Sequence, residues 1–232
     1  MIRFKIAEWA IWAPAENASD RSLLNLTSLN EVPSLNEMPA MLRRRAGRLG
    51  KTALHTAYQA ADQCTGYPVI FASRYGDMAQ SVEQLQLLAQ SGALSPSAFS
   101  MSVHNAISAL FSIARKDTAS YTAIAAGKET IEAAFTEAIG LLADGAASVL
   151  LVYYDEPLPA PHHVFTETPT FAHAFACRLV KADSGFSLSS HVTINATDHP
   201  PHGLAILRFL LSGKQHFHYS AGARTWVWQK DD

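Results

Sequence analysis

The chain has 232 residues, with 18 basic against 20 acidic side chains and a net charge of −2. Charged residues make up 16 % and apolar residues 48 %, where about 25 % charged is usual for a soluble domain. That length supports one large or two small domains without disulfide staples; the balanced charge leaves no basic footprint for nucleic acid, and the apolar content excludes a disordered chain.

Ile2 to Trp12 is β-branched and aromatic, is followed by Pro14, and reads as a strand. Glu8 interrupts its apolar run and no small-residue cleavage site follows, so no signal peptide is expected. Residues 15–38 have no sustained period and read as a long loop, a length that usually carries a role or a partner contact. Pro39 opens a helical segment with Met41, Leu42, Leu49, Ala53, Leu54, Ala57 and Ala61 on one face. PVIFAS at 68–73 reads as a buried strand. Asp77 is placed to cap a helix that runs to about Gln90 and stops at Gly92.

A third helix is expected in the second half of 95–116, with Ala106, Ala109, Leu110 and Ile113 on its apolar side. YTAIA at 121–125 is a strand, Glu129 to Ala143 a helix striped by Ile131, Ala134, Phe135, Ala138 and Leu142, and SVLLVYY at 148–154 a fully buried strand. The apolar run Gly145 to Tyr154 is about half of the roughly 20 residues a membrane span needs. Strand and helix thus alternate through residue 154, which predicts an α/β layered fold with a largely parallel sheet. Beyond a Pro-rich loop, Phe171 to Lys181 and Ser187 to Asn195 are strand-like, Leu204 to Leu211 is a short helix, and Gln215 to Gln229 forms a hairpin about Gly222.

Several of these segments carry a resemblance: MLRRRAGRLG at 41–50, FASRYGD at 71–77, SPSAFSMSVHNAISALFSIAR at 95–115, YTAIAAG at 121–127 and VLLVYYDEPLP at 149–159. Together they resemble the short β-ketoacyl-synthase-like chain length factors of aryl polyene and related fatty-acid-like pathways. The resemblance covers most of residues 1–180 and is most specific at SVHNA and YYDEP. It implies a thiolase-like α/β fold: one half of a ketosynthase, a mixed five-stranded sheet with helices, as a single domain in which 183–232 form a divergent C-terminal extension.

Ketosynthases of this kind use a cysteine at a helix N-terminus, where the helix dipole favours the thiolate. The resemblance puts that position in Ala125-Ala126-Gly127-Lys128, which contains neither cysteine nor serine. The histidines, or histidine and asparagine, that activate the malonyl group come in that family from a C-terminal half this chain lacks. The chain is therefore expected to be non-catalytic, with no cofactor, and to pair in the cytoplasm with a catalytic ketosynthase. The resemblance implies that the strand with Tyr121, Thr122, Ala123 and Ile124 pairs with its counterpart in the partner, and that His104 and Asn105 begin an interface helix. It makes Phe99, Met101 and Phe111 candidates for limiting acyl chain length.

Arg43, Arg44, Arg45 and Arg48 read as a basic cluster on a helix, either a solvated face or a docking patch for an acidic partner such as an acyl carrier protein. Cys64 and Cys177 have no metal spacing and both read as buried structural thiols. His162-His163, His199 with His202, and His216 with His218 lack a neighbouring carboxylate or cysteine pattern. Two readings from other classes remain: a serine hydrolase or acyltransferase around Ser102 and His104, although no GxSxG elbow is present, and a homodimeric protein that binds an acyl carrier protein. The low charge is concentrated in 95–125, whose only charged residues are Arg115, Lys116 and Asp117. Composition alone leaves a uniformly polar surface and a face buried by a partner equally open, and the resemblance favours the buried face and places it at these residues.

Overall fold

The structure is a computed structural model and describes residues 2–13, 32–61, 63–160, 162–166, 171–193, 203–221 and 223–231. Eight strands form one sheet: β1 (Arg3–Trp12), β2 (Val69–Ala72), β3 (Tyr121–Ile124), β4 (Val149–Asp155), β5 (His173–Ala182), β6 (Phe186–Val192), β7 (His216–Ala221) and β8 (Arg224–Lys230). Their order is β3-β2-β4-β5-β1-β6-β8-β7. Among the described residues seven α-helices accompany them: α1 (Ala40–Arg43), α2 (Arg48–Ala61), α3 (Met78–Ser91), α4 (Pro96–Phe99), α5 (Ala106–Arg115), α6 (Thr130–Ala143) and α7 (Gly203–Leu211).

Only the β3–β2 and β2–β4 pairs are parallel; the pairs from β4 through β5, β1, β6 and β8 to β7 are all antiparallel. The largely parallel sheet expected from strand–helix alternation is corrected in this respect. Alternation predicts parallel strands only where each connection is a helical crossover, and those connections end at β4. The sheet is also wider than the five strands that the resemblance implies, because residues beyond 183 supply β6, β8 and β7.

Helices cover both faces of the middle strands, so every residue of β4 is buried. Alternate residues divide between two cores. Val149, Leu151 and Tyr153 join Phe135, Phe175, Phe209 and Trp228 under α6 and α7. Leu150, Val152 and Tyr154 join Leu49, Leu54, Phe71 and Phe111 under α2 and α5. Strand β1 contributes to both cores through a bulge between Ile6 and Glu8. The extra residue reverses the alternation, so Phe4 and Ile6 before it and Ile11 after it face the same core. Gly185, at φ +129°, crosses so close to β1 that a Cβ would lie 2.6 Å from the Phe4 carbonyl oxygen. Only glycine admits both that conformation and that approach.

The helix expected from Pro39 is two helices. The chain turns at Arg44–Gly47, where a Cβ on residue 47 would come within 2.7 Å of Asp77 Oδ2. Met41, placed by periodicity on the buried face, is 82 % exposed. In α2 the buried Thr52 and Thr56 hydroxyls donate to Leu49 O and Ala53 O, so the helix face packs without orphaned hydroxyls. Asp77 caps α3 by accepting from Gln80 N at 2.9 Å, and Gly92 ends it in the left-handed conformation. In α5 the buried side is Ala106, Ile107, Leu110 and Phe111 rather than the Ala109–Ile113 side. The expected hairpin is β7–β8, with Gly222 outside the described residues. Residues 15–31 of the expected loop also lie outside them, as do residues 194 and 195.

Candidate partner interface

The turn that would carry a nucleophile lies between β3 and α6. Gly127 starts a short 3-10 turn, Gly127–Glu129, at φ +58°. Thr130 Oγ1 accepts from Ala126 N at 2.9 Å and donates to Gly127 O at 2.7 Å, so the hydroxyl at this helix start is buried and already engaged. The C-terminal hairpin covers the same place. Tyr219 Oη donates to Lys128 O at 3.2 Å, Arg224 approaches Glu129 at 4.0 Å, and Trp228 stands edge-on to Phe135 at 4.8 Å.

Beneath the turn, Glu132 has 0 % exposure. Neither of its carboxyl oxygens nor Trp228 Nε1 has a hydrogen-bond partner of ordinary geometry. Burial pushes the Glu132 carboxyl up to about 8, against the smaller opposing effects of its own backbone N–H and the Trp228 indole. A helix N-terminus that could stabilise a thiolate instead holds a neutral carboxyl in an apolar core.

Three features expose apolar side chains. Strand β3 is the last in the sheet, so its outer edge pairs with nothing among the described residues; Tyr121 and Thr122 are exposed, and Ala123 and Ile124 are half-buried. Helix α5 turns Ile113, at 59 % exposure, to solvent. Helices α3 and α4 present Leu85, Leu87, Leu88 and Phe99, the last at 57 %. Met101 packs partly against the second core, whereas Phe111 is committed to it at 3 % exposure, between Tyr58 at 5.3 Å and Phe71 at 5.7 Å. The Leu85–Leu88 face went unrecognised in the sequence; its signal was Leu85 and Leu88 one helical turn apart, with Leu87 next to them.

His104 and Asn105 precede α5. His104 Nε2 bonds to Ser73 O at 2.9 Å, while Asn105 is exposed and makes no side-chain cap. Ser102 Oγ donates to Phe99 O at 2.8 Å. Serine and histidine therefore address different backbone carbonyls, which is no arrangement for activating a hydroxyl.

The arginines are not on one helix. Arg43 ends α1 and donates to Asn36 Oδ1 at 3.1 Å, Arg44 and Arg45 lie in the turn, and Arg48 opens α2. Arg44, Arg45 and Arg48 line a cleft of about 440 Å³ together with Asp77, Glu83 and Glu156. Burial, reinforced by Asp77, pushes the Glu156 carboxyl up to about 7, and Arg48 opposes the rise.

Cys177 is buried as expected, and burial raises its thiol far above its ordinary value. Cys64 is exposed, which corrects its reading as a buried thiol. It lies past the last turn of α2, where the helix no longer packs on the sheet. His162 and His163 sit in a short 3-10 turn, His216 and His218 are exposed on β7, and His199 and His202 fall outside the described residues. Among the described residues no group of three or more His, Cys, Asp or Glu is placed to hold a metal. No helix among them is long and apolar enough to cross a membrane.

A family model described as β-ketoacyl synthase, N-terminal domain, matches residues 9–229. The chain belongs to this family. Solved structures share its ketosynthase fold. A ketosynthase in complex with its chain length factor from Xenorhabdus doucetiae matches at TM-score 0.83 and 24 % identity, covering 99 % of this chain and 100 % of that one. The ishigamide ketosynthase/chain length factor matches at TM-score 0.64 and 15 % identity, covering 83 % and 68 %. A type II polyketide acyl-carrier protein in complex with its ketosynthase bound to the hexaketide matches at TM-score 0.62 and 13 % identity, covering 82 % and 70 %. No curated protein matches the sequence. This β-ketoacyl synthase domain therefore has the thiolase-like fold expected from its motifs, and its turn at 125–128 carries Lys128 but no cysteine.

Proposed function

We propose that this chain is the non-catalytic, chain-length-factor subunit of a heterodimer, and that it stabilises a catalytic β-ketoacyl-[acyl carrier protein] synthase in a polyene- or fatty-acid-like pathway in the cytoplasm. The observation that carries the reading is the outer edge of β3, unpaired among the described residues, with Tyr121 exposed on it and Ile113 exposed on α5, a helix in contact with β3. An edge strand is a template for pairing with another chain, and exposed apolar side chains beside it suit an obligate interface. The turn at 125–128 supports the non-catalytic part, since it offers no thiol and is covered by the C-terminal hairpin.

On this reading the chain is one ketosynthase-like domain whose residues 183–232 extend its sheet and seal α6. Phe99 and Met101 help to shape the partner's acyl tunnel, while Phe111 supports them from the core. The arginines at 43–48 are a secondary docking site for an acyl carrier protein, whose acidic surface complements them.

The test is co-expression with a ketosynthase encoded beside this chain. The two are expected to co-elute as a heterodimer with condensing activity, and Phe99→Ala in that complex is expected to lengthen its products. A chain that is soluble and monomeric alone and never co-elutes contradicts the proposal. An intact complex with unchanged products restricts the chain to stabilising its partner.

A further inference from the structure

Residues 78–103, comprising α3 and α4, leave the body of the molecule at the end of β2 and return to it at His104. Of these residues only Val82 and Gln84 are buried, and neither helix packs extensively on another element. The excursion nevertheless has a tightly built base. Asp155, at the end of β4, accepts from Ser73 Oγ at 2.9 Å and from Arg74 N at 3.0 Å, and its other oxygen accepts from Tyr153 Oη at 2.6 Å. Ser73 Oγ in turn accepts from Gly76 N at 2.8 Å. His104 closes the base from the far end: its Nε2–H donates to Ser73 O at 2.9 Å, and its Nδ1 lies 2.8 Å from where a Cβ on residue 76 would stand. Gly76 is at φ +66°, a conformation in which a side chain is strained in any case.

We propose that His104 is a positioning residue, a clasp that joins the two ends of the 78–103 excursion and holds its apolar face ready for the partner. This rests on the reading above that the face meets a ketosynthase. With so little burial of its own, the orientation of the excursion is set at its base rather than along its length. Fixing that orientation before association lowers the ordering cost of binding. Loss of one hydrogen bond of this kind corresponds to about a ten-fold change in an equilibrium constant.

Two measurements on the full chain separate the clasp from the partner reading. In the isolated chain, His104→Ala is expected to raise amide hydrogen exchange across 79–91 about ten-fold while β2 and β4 stay protected. In the complex, the same substitution is expected to weaken binding to the ketosynthase about ten-fold. His104→Gln, whose amide N–H reaches the place of Nε2, is expected to restore both. Gly76→Ala, whose methyl presses on the imidazole from the other side, is expected to loosen 79–91 with His104 itself unsubstituted. Exchange unchanged in both His104→Ala and Gly76→Ala overturns the clasp, whatever the partner does. Faster exchange with unchanged affinity overturns its role in binding. A wild-type chain that binds no ketosynthase overturns the partner reading, and the exchange arm then decides the clasp alone.

Discussion

Glu132 shows how one residue's surroundings decide its chemistry. A glutamate in the first turn of a helix is ordinarily solvated and stabilised by the helix dipole. Here β8 places Trp228 against it, and the carboxyl, raised to about 8, stays protonated in the folded chain at neutral pH. Unfolded, it would titrate near 4.5. Between those values the unfolded chain releases a proton that the folded chain keeps, so stability falls as pH rises from about 4.5 to about 8 and is flat beyond both. The span corresponds to about 5 kcal/mol at most. Glu132→Gln is expected to flatten this slope, with denaturant midpoints that converge with wild type at pH 5 and exceed it at pH 8. Equal slopes in the two proteins would show that the carboxyl is ionised in the fold. The sequence could not reveal this residue, because its burial depends on a strand far along the chain; the Asp77 cap was legible because capping is local.

Helix α6 and the β7–β8 hairpin form a joint that only tertiary structure creates. The stripe of α6 (Ile131, Ala134, Phe135, Ala138, Leu142) was readable from its period, and all five residues are buried. The partner of that stripe was not readable. Trp228 looked like one aromatic in an alternating strand, yet it is wholly buried and stacks edge-on with both Phe135 and Phe209. Trp228→Ala is expected to cost about 3–5 kcal/mol, measured by urea unfolding; a loss below about 1 kcal/mol would mean that the hairpin is dispensable to the core. The misplaced face of α5 has a related cause. Ile107 and Ile113 lie on different sides of an almost wholly apolar helix, and periodicity alone cannot say which side the sheet takes. The side left over turns Ile113 to solvent.

The scarcity of charge belongs to the whole molecule and resolves onto one region. Residues 95–125 include α4, α5 and the edge strand β3, and their only charges are Arg115, Lys116 and Asp117. Arg115 is turned inward, with its guanidinium over the rings of Phe111 and Tyr58. The surface that remains is nearly uncharged, exposes Phe99, Val103, Ile113 and Tyr121, and ends at an edge strand whose outer side is unpaired among the described residues, the kind of edge that soluble monomers blunt. The most direct test is amide hydrogen exchange at residues 121–124, in the chain alone and after mixing with the ketosynthase. If β3 completes a sheet shared by two subunits, those amides become protected in the complex and exchange readily in its absence. Unchanged exchange at 121–124 in a complex that has formed would contradict pairing through this edge.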